Sequence, residues 1–160
     1  MHTSSLEHSY VGLPYEGEWT CFDEAFYVYL PTELTVEEIT EKMQTEGIIA
    51  YYSSTNEQGV TLQIQIAKQG RKDSIEAILA EYQAFCDQAV YVTINGIPAV
   101  TAYSGNELYA EALMENGEAY LMKAEFASDF VEAMDIDETQ GIYVGGMLYS
   151  ITATPLEIAE

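Results

Sequence analysis

The sequence predicts an α+β fold, in which an antiparallel sheet of about six or seven strands is packed with helices. Three observations support this prediction. Seven short segments have the alternation or composition of strands, turn residues separate most of them, and two further stretches carry apolar residues at helical spacing. At 160 residues the chain is also long enough to bury a core without metals or disulfides.

The first strand and the first helix are predicted close to the N-terminus. In residues 26–30, Phe, Val and Leu alternate with two tyrosines, which indicates a strand covered on both faces and ended by Pro31. Thr35 and Glu38 then have the spacing of a capping box, whose side chains satisfy free amides of a first helical turn. We therefore predict a short amphipathic helix over residues 35–46.

A hairpin and a longer helix follow. Residues 48–55 and 59–67 predict an antiparallel pair of strands. Apolar and polar residues alternate regularly in the second segment, so one of its faces should lie in the core and the other should face solvent. Asp73 and Glu76 indicate the start of the second helix. Its apolar stripe should face the sheet, through Ile75, Ile78, Leu79, Tyr82, Phe85 and Cys86.

The second half of the chain predicts an antiparallel meander. Its four strands cover residues 90–94, 97–103, 107–114 and 118–126. Asn95-Gly96 and Asn116-Gly117 stand between them, and Asn-Gly is the strongest short signal for a hairpin. Residues 138–152 mix strand-forming residues with three glycines, so strand and helix both fit. We predict a C-terminal helix that packs closely through its glycines.

No repeat or linker divides the chain. We expect residues 1–20 to form a leader that docks through Tyr10, Tyr15 and Trp19, and residues 21–160 to form one domain. Sheet and helix should share one contiguous core, made of Ile64, Ile66, Ile78, Leu79, Phe85 and Val92.

The charge balance limits the choice of partner. Five Lys and Arg residues against 27 Asp and Glu residues give a formal net charge of -22. Such a surface repels phosphate backbones and anionic lipid headgroups. Nucleic acid and anionic membrane surfaces are therefore excluded as expected partners, and we expect a protein or peptide that is neutral or basic.

Location and redox state are less constrained. Charged or amide residues interrupt every apolar run, and the first residues lack the pattern of a signal peptide. An export signal could precede Met1, so we expect an extracytoplasmic location, with a cytoplasmic location as the alternative. We expect Cys21 and Cys86 to be small buried residues, with a disulfide between them as the alternative.

Several segments resemble the PsbP-like α/β sandwich superfamily, and especially small exported domains of Gram-positive bacteria. The similar segments are YVYLP at 27–31, GIIAYYSS from Gly47, TLQIQ from Thr61 and INGIPAV at 94–100. The resemblance covers residues 22–152 and carries no catalytic residue. Its better-known members bind other proteins, which implies a non-catalytic binding or accessory domain without a cofactor.

The sequence lacks the usual catalytic patterns. His2 and His8 both lie in the leader, where neither can be held rigidly beside a nucleophile or a metal. No glycine-rich phosphate-binding loop is present. A hydrolase that uses two of the 27 acids remains an alternative, although their abundance singles out no pair.

One acidic turn concentrates possible metal ligands. Asp135, Asp137 and Glu138 crowd hard oxygen ligands near a glycine. An EF-hand loop needs that glycine one position earlier and a glutamate where this chain has Gly146. The sequence therefore predicts no metal site, with these three residues as the candidate ligands if one exists.

Tyrosine is the other unusual feature, with 13 in the chain. Strand tyrosines usually cover half-buried sheet faces, but a tyrosine-lined surface can also anchor a partner. Tyr51, Tyr91 and Tyr109 are the candidate binding residues on this basis. Three functions remain at this point: a non-catalytic binding domain, a carboxylate-dependent hydrolase, and a cytoplasmic structural protein.

Overall fold

Seven antiparallel strands form the main sheet in this computed structural model, which describes residues 10–11, 15–57, 59–127, 138–155 and 157–158. The order across the sheet is β4-β5-β6-β10-β9-β8-β7. These strands are β4 (Thr35–Val36), β5 (Ile48–Thr55), β6 (Thr61–Arg71), β7 (Gln88–Ile94), β8 (Ile97–Ser104), β9 (Glu107–Leu113) and β10 (Glu118–Glu125). The protein is mostly antiparallel sheet with a few helices, so the predicted α+β class fits only loosely.

The remaining described elements are not strands of this sheet. They are β1 (Tyr10–Val11), β2 (Gly17–Phe22), β3 (Phe26–Pro31), β11 (Glu157–Ile158), α1 (Glu41–Thr45), α2 (Ile75–Gln83) and α3 (Glu138–Tyr149). Strands β2 and β3 form an antiparallel hairpin, and β1 pairs in parallel with β11. Because β2 begins at Gly17, the boundary that we predicted at residue 20 falls inside a strand.

The predicted meander is confirmed. Strands β7, β8, β9 and β10 are neighbours in sequence order and pair antiparallel. Asn95 and Gly96 connect β7 to β8 with φ angles of 49° and 83°. Two successive positive φ angles define the two-residue turn whose twist matches that of the strands, and Asn-Gly adopts it at the least steric cost.

One face of the sheet carries the larger core. The β2–β3 hairpin and α3 lie over this face, and Tyr27 of β3 bridges to Thr152 just beyond α3. The fully buried side chains of this core include Val28, Leu62, Ile64, Met147 and Phe126. The alternation predicted for β6 is confirmed, since Leu62, Ile64 and Ile66 all point into it.

Helix α2 lies on the opposite face and has its own smaller core. Ile78 and Tyr82 are its buried residues, and they pack against side chains of β8, β9 and β10. The single core that we predicted is therefore wrong. Ile64 and Ile66 belong to one face and Ile78 to the other, because alternate residues of a strand point to opposite sides. Phe85 is 56% exposed and belongs to neither core.

The predicted helix over residues 35–46 is mostly wrong. Thr35 and Val36 instead form β4, which pairs with β5, and α1 starts after Thr40. The Thr40 hydroxyl caps α1 by accepting a hydrogen bond from the Met43 amide over 3.2 Å. Thr35 and Val36 are both β-branched, and pairing with β5 satisfies their backbone groups without the predicted cap.

The other two predicted helices are present. The cap of α2 is Ser74 rather than Asp73, since the Ser74 hydroxyl accepts from the Ala77 amide over 3.1 Å. Helix α3 packs closely at Gly146, as predicted. A Cβ atom at this position would lie 2.3 Å from the Tyr15 ring, whereas one at Gly145 would meet nothing within 4 Å.

Two of the predicted leader aromatics are described, and both dock. The Tyr15 ring stacks on Tyr29 with 5.8 Å between ring centroids, and its hydroxyl donates to the Tyr29 carbonyl over 2.7 Å. Trp19 packs edge-on to Tyr29 at 5.2 Å. Burial raises the pKa of Tyr15 well above its usual range. The side chain of Tyr10, like His2 and His8, lies outside the described part of the chain.

Candidate binding cleft

The structure distributes the three candidate tyrosines over one side of the sheet. Tyr51 lies opposite Gln65 on the neighbouring strand, and Lys123 lies opposite both Gln65 and Tyr109. Residues directly opposite one another point to the same face of a sheet, so Tyr51 and Tyr109 share a face. Tyr109 is only 8% exposed, because α2 covers it and its ring contacts the ring of Tyr82 at 5.4 Å. Tyr91 is 52% exposed on the last strand of the sheet. The three side chains therefore do not share one open surface.

The two cysteines are not bonded to each other. Cys86 is half-buried, but Cys21 is exposed, so the expectation that both are buried is wrong for Cys21. Successive side chains of β2 point to opposite faces, so Cys21 points away from the core that contains its neighbour Phe22. The nearby Cys21 thiol group raises the pKa of Tyr27, its partner across the hairpin.

The acidic turn near α3 lies largely outside the described residues. Asp135 and Asp137 are not described, and of Glu138 only its place at the start of α3 is known. Across the described ranges, no group of three or more His, Cys, Asp and Glu side chains is arranged to hold a metal ion.

A cleft of about 700 Å³ lies at one end of the sheet. The cleft is lined by the β2–β3, β7–β8 and β9–β10 turns, and by Ala153 in the chain beyond α3. Ala25, Ile97, Pro98 and Met114 contribute apolar side chains to this lining, and Glu24 and Glu115 contribute carboxylates. The volume lies within the range of ligand sites, where apolar contacts supply area and a few polar groups fix orientation.

The turn that carries Glu24 has an uncommon backbone. Asp23 and Glu24 both have a φ of 55°, in the left-handed region that residues other than glycine rarely adopt. The sheet holds this turn in place. The Tyr120 hydroxyl donates to the Asp23 carboxylate, and Lys68 Nζ lies 3.2 Å from Asp23 Oδ2. Two successive positive φ angles fit the tight turn that connects β2 to β3, as they do at Asn95 and Gly96.

Charge and hydrogen bonding at this turn shift two pKa values. The hydrogen bond from Tyr120, with a smaller contribution from Lys68, lowers the pKa of Asp23 below its usual range. Burial, together with the Asp23 carboxylate, raises the pKa of Tyr120 to about 12. Asp23 is therefore a carboxylate at neutral pH, and the contacts that hold Glu24 at the cleft remain intact.

The other two turns are also fixed by hydrogen bonds. Asn95 Nδ2 donates to the Tyr149 carbonyl over 3.1 Å and to the Ile151 carbonyl over 2.8 Å, which ties the β7–β8 turn to the end of α3. Arg71 donates to the Asn116 carbonyl over 2.8 Å and holds the β9–β10 turn from behind. The cleft is thus pre-formed, which lowers the entropic cost of binding.

A second group of polar side chains is buried under α2. Glu111 is 1% exposed, and its Oε1 atom accepts a hydrogen bond from the Tyr82 hydroxyl over 2.7 Å. Its Oε2 atom has no hydrogen-bond partner among the residues described, although Lys72 Nζ lies 4.0 Å away. Burial raises the pKa of Glu111, and the same burial raises that of Tyr82 well above its usual range.

Sequence reasoning missed both the cleft and this group. The cleft residues come from segments far apart in the chain and share no motif. Glu111 lies between Tyr109 and Leu113 on the face of β9 that α2 covers. A charged residue flanked by apolar ones at a spacing of two is the signal that could have indicated a covered face.

Most of the positive charge is neutralised locally. Within the described ranges, four of the five Lys and Arg side chains form ion pairs, with Asp23, Glu118, Glu81 and Glu107. Lys68 and Lys123 each contact a carboxylate that also accepts a hydrogen bond from a tyrosine hydroxyl. These pairs leave the excess of acids uncompensated over the rest of the surface.

Comparison of the sequence with known protein families and with curated proteins found no match. The resemblance to the PsbP-like superfamily therefore stays a prediction. Among the helices of the described residues, none has the length and apolar character needed to cross a membrane.

Proposed function

We propose that this protein is a non-catalytic binding domain that takes a neutral or basic segment of another protein or a peptide. The observation that carries the proposal is the pre-formed cleft at the end of the sheet. Apolar side chains line it, and Glu24 and Glu115 are its charged groups. A peptide that offers apolar side chains beside a Lys or Arg complements both features.

The negative charge of the protein favours a positively charged partner. The cleft carries two glutamates in a protein with a net charge of -22, so a cationic segment is attracted during approach as well as in the bound state. An acidic segment would be repelled at both stages. Met114 adds an adaptable apolar surface, since its unbranched side chain can fit partners of different shape.

Two further considerations support a binding role. The better-known members of the PsbP-like superfamily bind other proteins, and we propose that this sheet with its helices is a sandwich of that type. Tyr91 and Tyr51 remain candidate contacts on the α2 side of the sheet, where Tyr91 is exposed at the edge.

The hydrolase alternative has less support. A general acid needs a raised pKa and contact with the substrate. Glu111 has the raised pKa, but it lies between α2 and the sheet and is not part of the cleft. Glu24 and Glu115, which do line the cleft, are the pair that a search for hydrolysis should replace first.

A peptide titration tests the proposal. The probe is a fluorescent peptide in which lysine alternates with leucine, compared with one in which glutamate replaces each lysine. We expect the basic peptide to bind, with an affinity that falls as salt rises, and the acidic peptide not to bind. The variant E24Q/E115Q should bind the basic peptide about fivefold more weakly, since two exposed ion pairs at about 0.5 kcal/mol each contribute about 1 kcal/mol.

The control is E38Q/E57Q, which removes two exposed glutamates outside the cleft and changes the net charge equally. It should bind like the unmodified protein. Equal weakening in both double variants would show that only the overall charge matters and would remove the cleft from the proposal. Tight binding of the acidic peptide at physiological salt would contradict the proposal altogether.

A further inference from the structure

Strand β7 is the last strand of the main sheet, and only β8 pairs with it among the described residues. Its outer edge therefore offers backbone groups that the sheet does not use. Open edges of this kind are templates for pairing with another strand.

The register between β7 and β8 identifies the backbone amides of β7 that point away from the sheet. Ile94 and Ile97 flank a two-residue turn and so exchange both hydrogen bonds, and such pairs recur at every second residue. Ile94, Val92 and Val90 consequently bond to β8. The backbone groups of Ala89, Tyr91 and Thr93 point away from the sheet.

This edge lacks the usual protection. Natural edge strands are shortened, charged or broken by proline. Residues Gln88–Ile94 include no charged residue, no proline and no glycine, in a chain where one residue in five is charged. Val90 and Tyr91 are 44% and 52% exposed. The opposite edge differs, since β4 has two residues and Glu37 and Glu38 follow it.

We infer that β7 binds an extended, uncharged or basic segment of another polypeptide by adding it to the sheet as an eighth strand. Backbone hydrogen bonds to Ala89, Tyr91 and Thr93 supply affinity, and the exposed Val90 and Tyr91 side chains contact alternate residues of the partner. The inference rests on the proposed function and adds how the segment is held, because β7 ends at the turn that lines the cleft.

Charge decides between a foreign segment and a second copy of this chain. Two copies would bring net charges of -22 together, which opposes pairing of their edges. Helix α2, which contacts β7, adds the exposed Glu76 and has no Lys or Arg. A basic segment meets attraction at the same place.

The test uses a labelled peptide as long as β7, in which valine and threonine alternate between terminal lysines. Hydrogen exchange of the full chain should show slower exchange at the amides of Ala89, Tyr91 and Thr93 when the peptide is added. The amides of Val90 and Val92 already bond to β8 and should change little. Unchanged exchange at the three outward amides with peptide in excess would overturn the inference.

A pair of variants adds a second readout. T93P removes an outward amide that β8 does not need, whereas T93A keeps the amide and removes the same side-chain contact with Tyr91. T93P should bind the peptide about tenfold more weakly, and T93A within about twofold of the unmodified protein. Equal affinities of T93P and T93A would overturn the inference, and the exchange experiment decides the question if T93P does not fold.

Two outcomes separate this inference from the proposed function. If E24Q/E115Q no longer binds the peptide and T93P binds it like the unmodified protein, the cleft alone holds the segment and β7 does not. If sedimentation without peptide shows dimers that T93P dissociates, the edge belongs to a second copy, and the inference is overturned. Binding that T93P weakens and E24Q/E115Q leaves intact supports the edge without the cleft.

Discussion

The most unusual single residue is Glu111, a carboxylate inside a protein that has 27 acids available for its surface. Removing a charge from water is costly unless its partners replace the lost hydration. Tyr82 supplies one hydrogen bond, but Lys72 is 4.0 Å from Oε2 and also contacts Glu81 at 3.0 Å. The compensation is incomplete, which is why the pKa of Glu111 is raised.

This raised pKa predicts a specific pH dependence. Because folding disfavours the charged form, Glu111 should destabilise the fold at pH 8 and cease to do so as the pH falls and the group becomes protonated. The variant E111Q cannot ionise. It should melt at a higher temperature than the unmodified protein at pH 8, and the difference should shrink toward pH 5, as measured by calorimetry.

The control for this experiment is E57Q, which removes an exposed acid from the β5–β6 turn. It separates the effect of Glu111 from the general relief of repulsion between acids. If E57Q and E111Q shift the melting temperature equally at every pH, Glu111 is not destabilising in the folded protein.

At the scale of elements, the attachment of α3 depends on two adjacent glycines with different surroundings. Gly146 faces Tyr15, whose ring is held between Tyr29 and Tyr143. A methyl group there would overlap a ring that cannot move freely. Gly145 has open space, so its missing side chain only lowers the helical propensity of α3.

The two glycines therefore predict opposite effects of the same substitution. G146A should lower the free energy of unfolding by about 1 to 3 kcal/mol through overpacking. G145A should raise it by up to about 1 kcal/mol, because alanine loses less backbone entropy on folding. Denaturant unfolding measures both. The cost of G146A should largely vanish in the Y15A background, and a cost that persists there would show that α3 does not pack on Tyr15.

At the scale of the whole molecule, two cores on opposite faces of one sheet provide the stability. Burial on this scale is sufficient for a chain of 160 residues to fold without a metal ion. The excess of acids opposes this stability, because like charges repel one another in the compact state.

We accordingly predict that the melting temperature is the same with and without EDTA. A ligand that binds only the folded state would raise the melting temperature, and its removal would lower it. A drop on adding EDTA that calcium reverses would contradict the prediction. The variant D135N/D137N would then show whether the acidic turn before α3 is the site, since it should lose the response to calcium.

Turns and strands that depend only on a few neighbouring residues could be predicted from the sequence. Asn95-Gly96 predicted a hairpin because only those residue types accept its backbone angles cheaply, and β6 was correctly assigned from its alternation. Thr35 and Val36 show the limit of such reasoning. Thr35 and Glu38 have the spacing of a capping box, but pairing of Thr35 and Val36 with β5 offers the backbone a competing set of hydrogen bonds.

The sequence by itself determined most strands, the meander, two of the three described helices and the negative net charge, because each depends on local backbone preference or on composition. The tertiary structure decided which face each element covers. It placed Ile78 and Ile64 on opposite sides of the sheet, buried Glu111 under α2, left β7 at an edge, and brought Glu24 and Glu115 to one cleft. These outcomes depend on contacts between residues distant in the chain, and a local pattern carries no information about which distant surface will cover it.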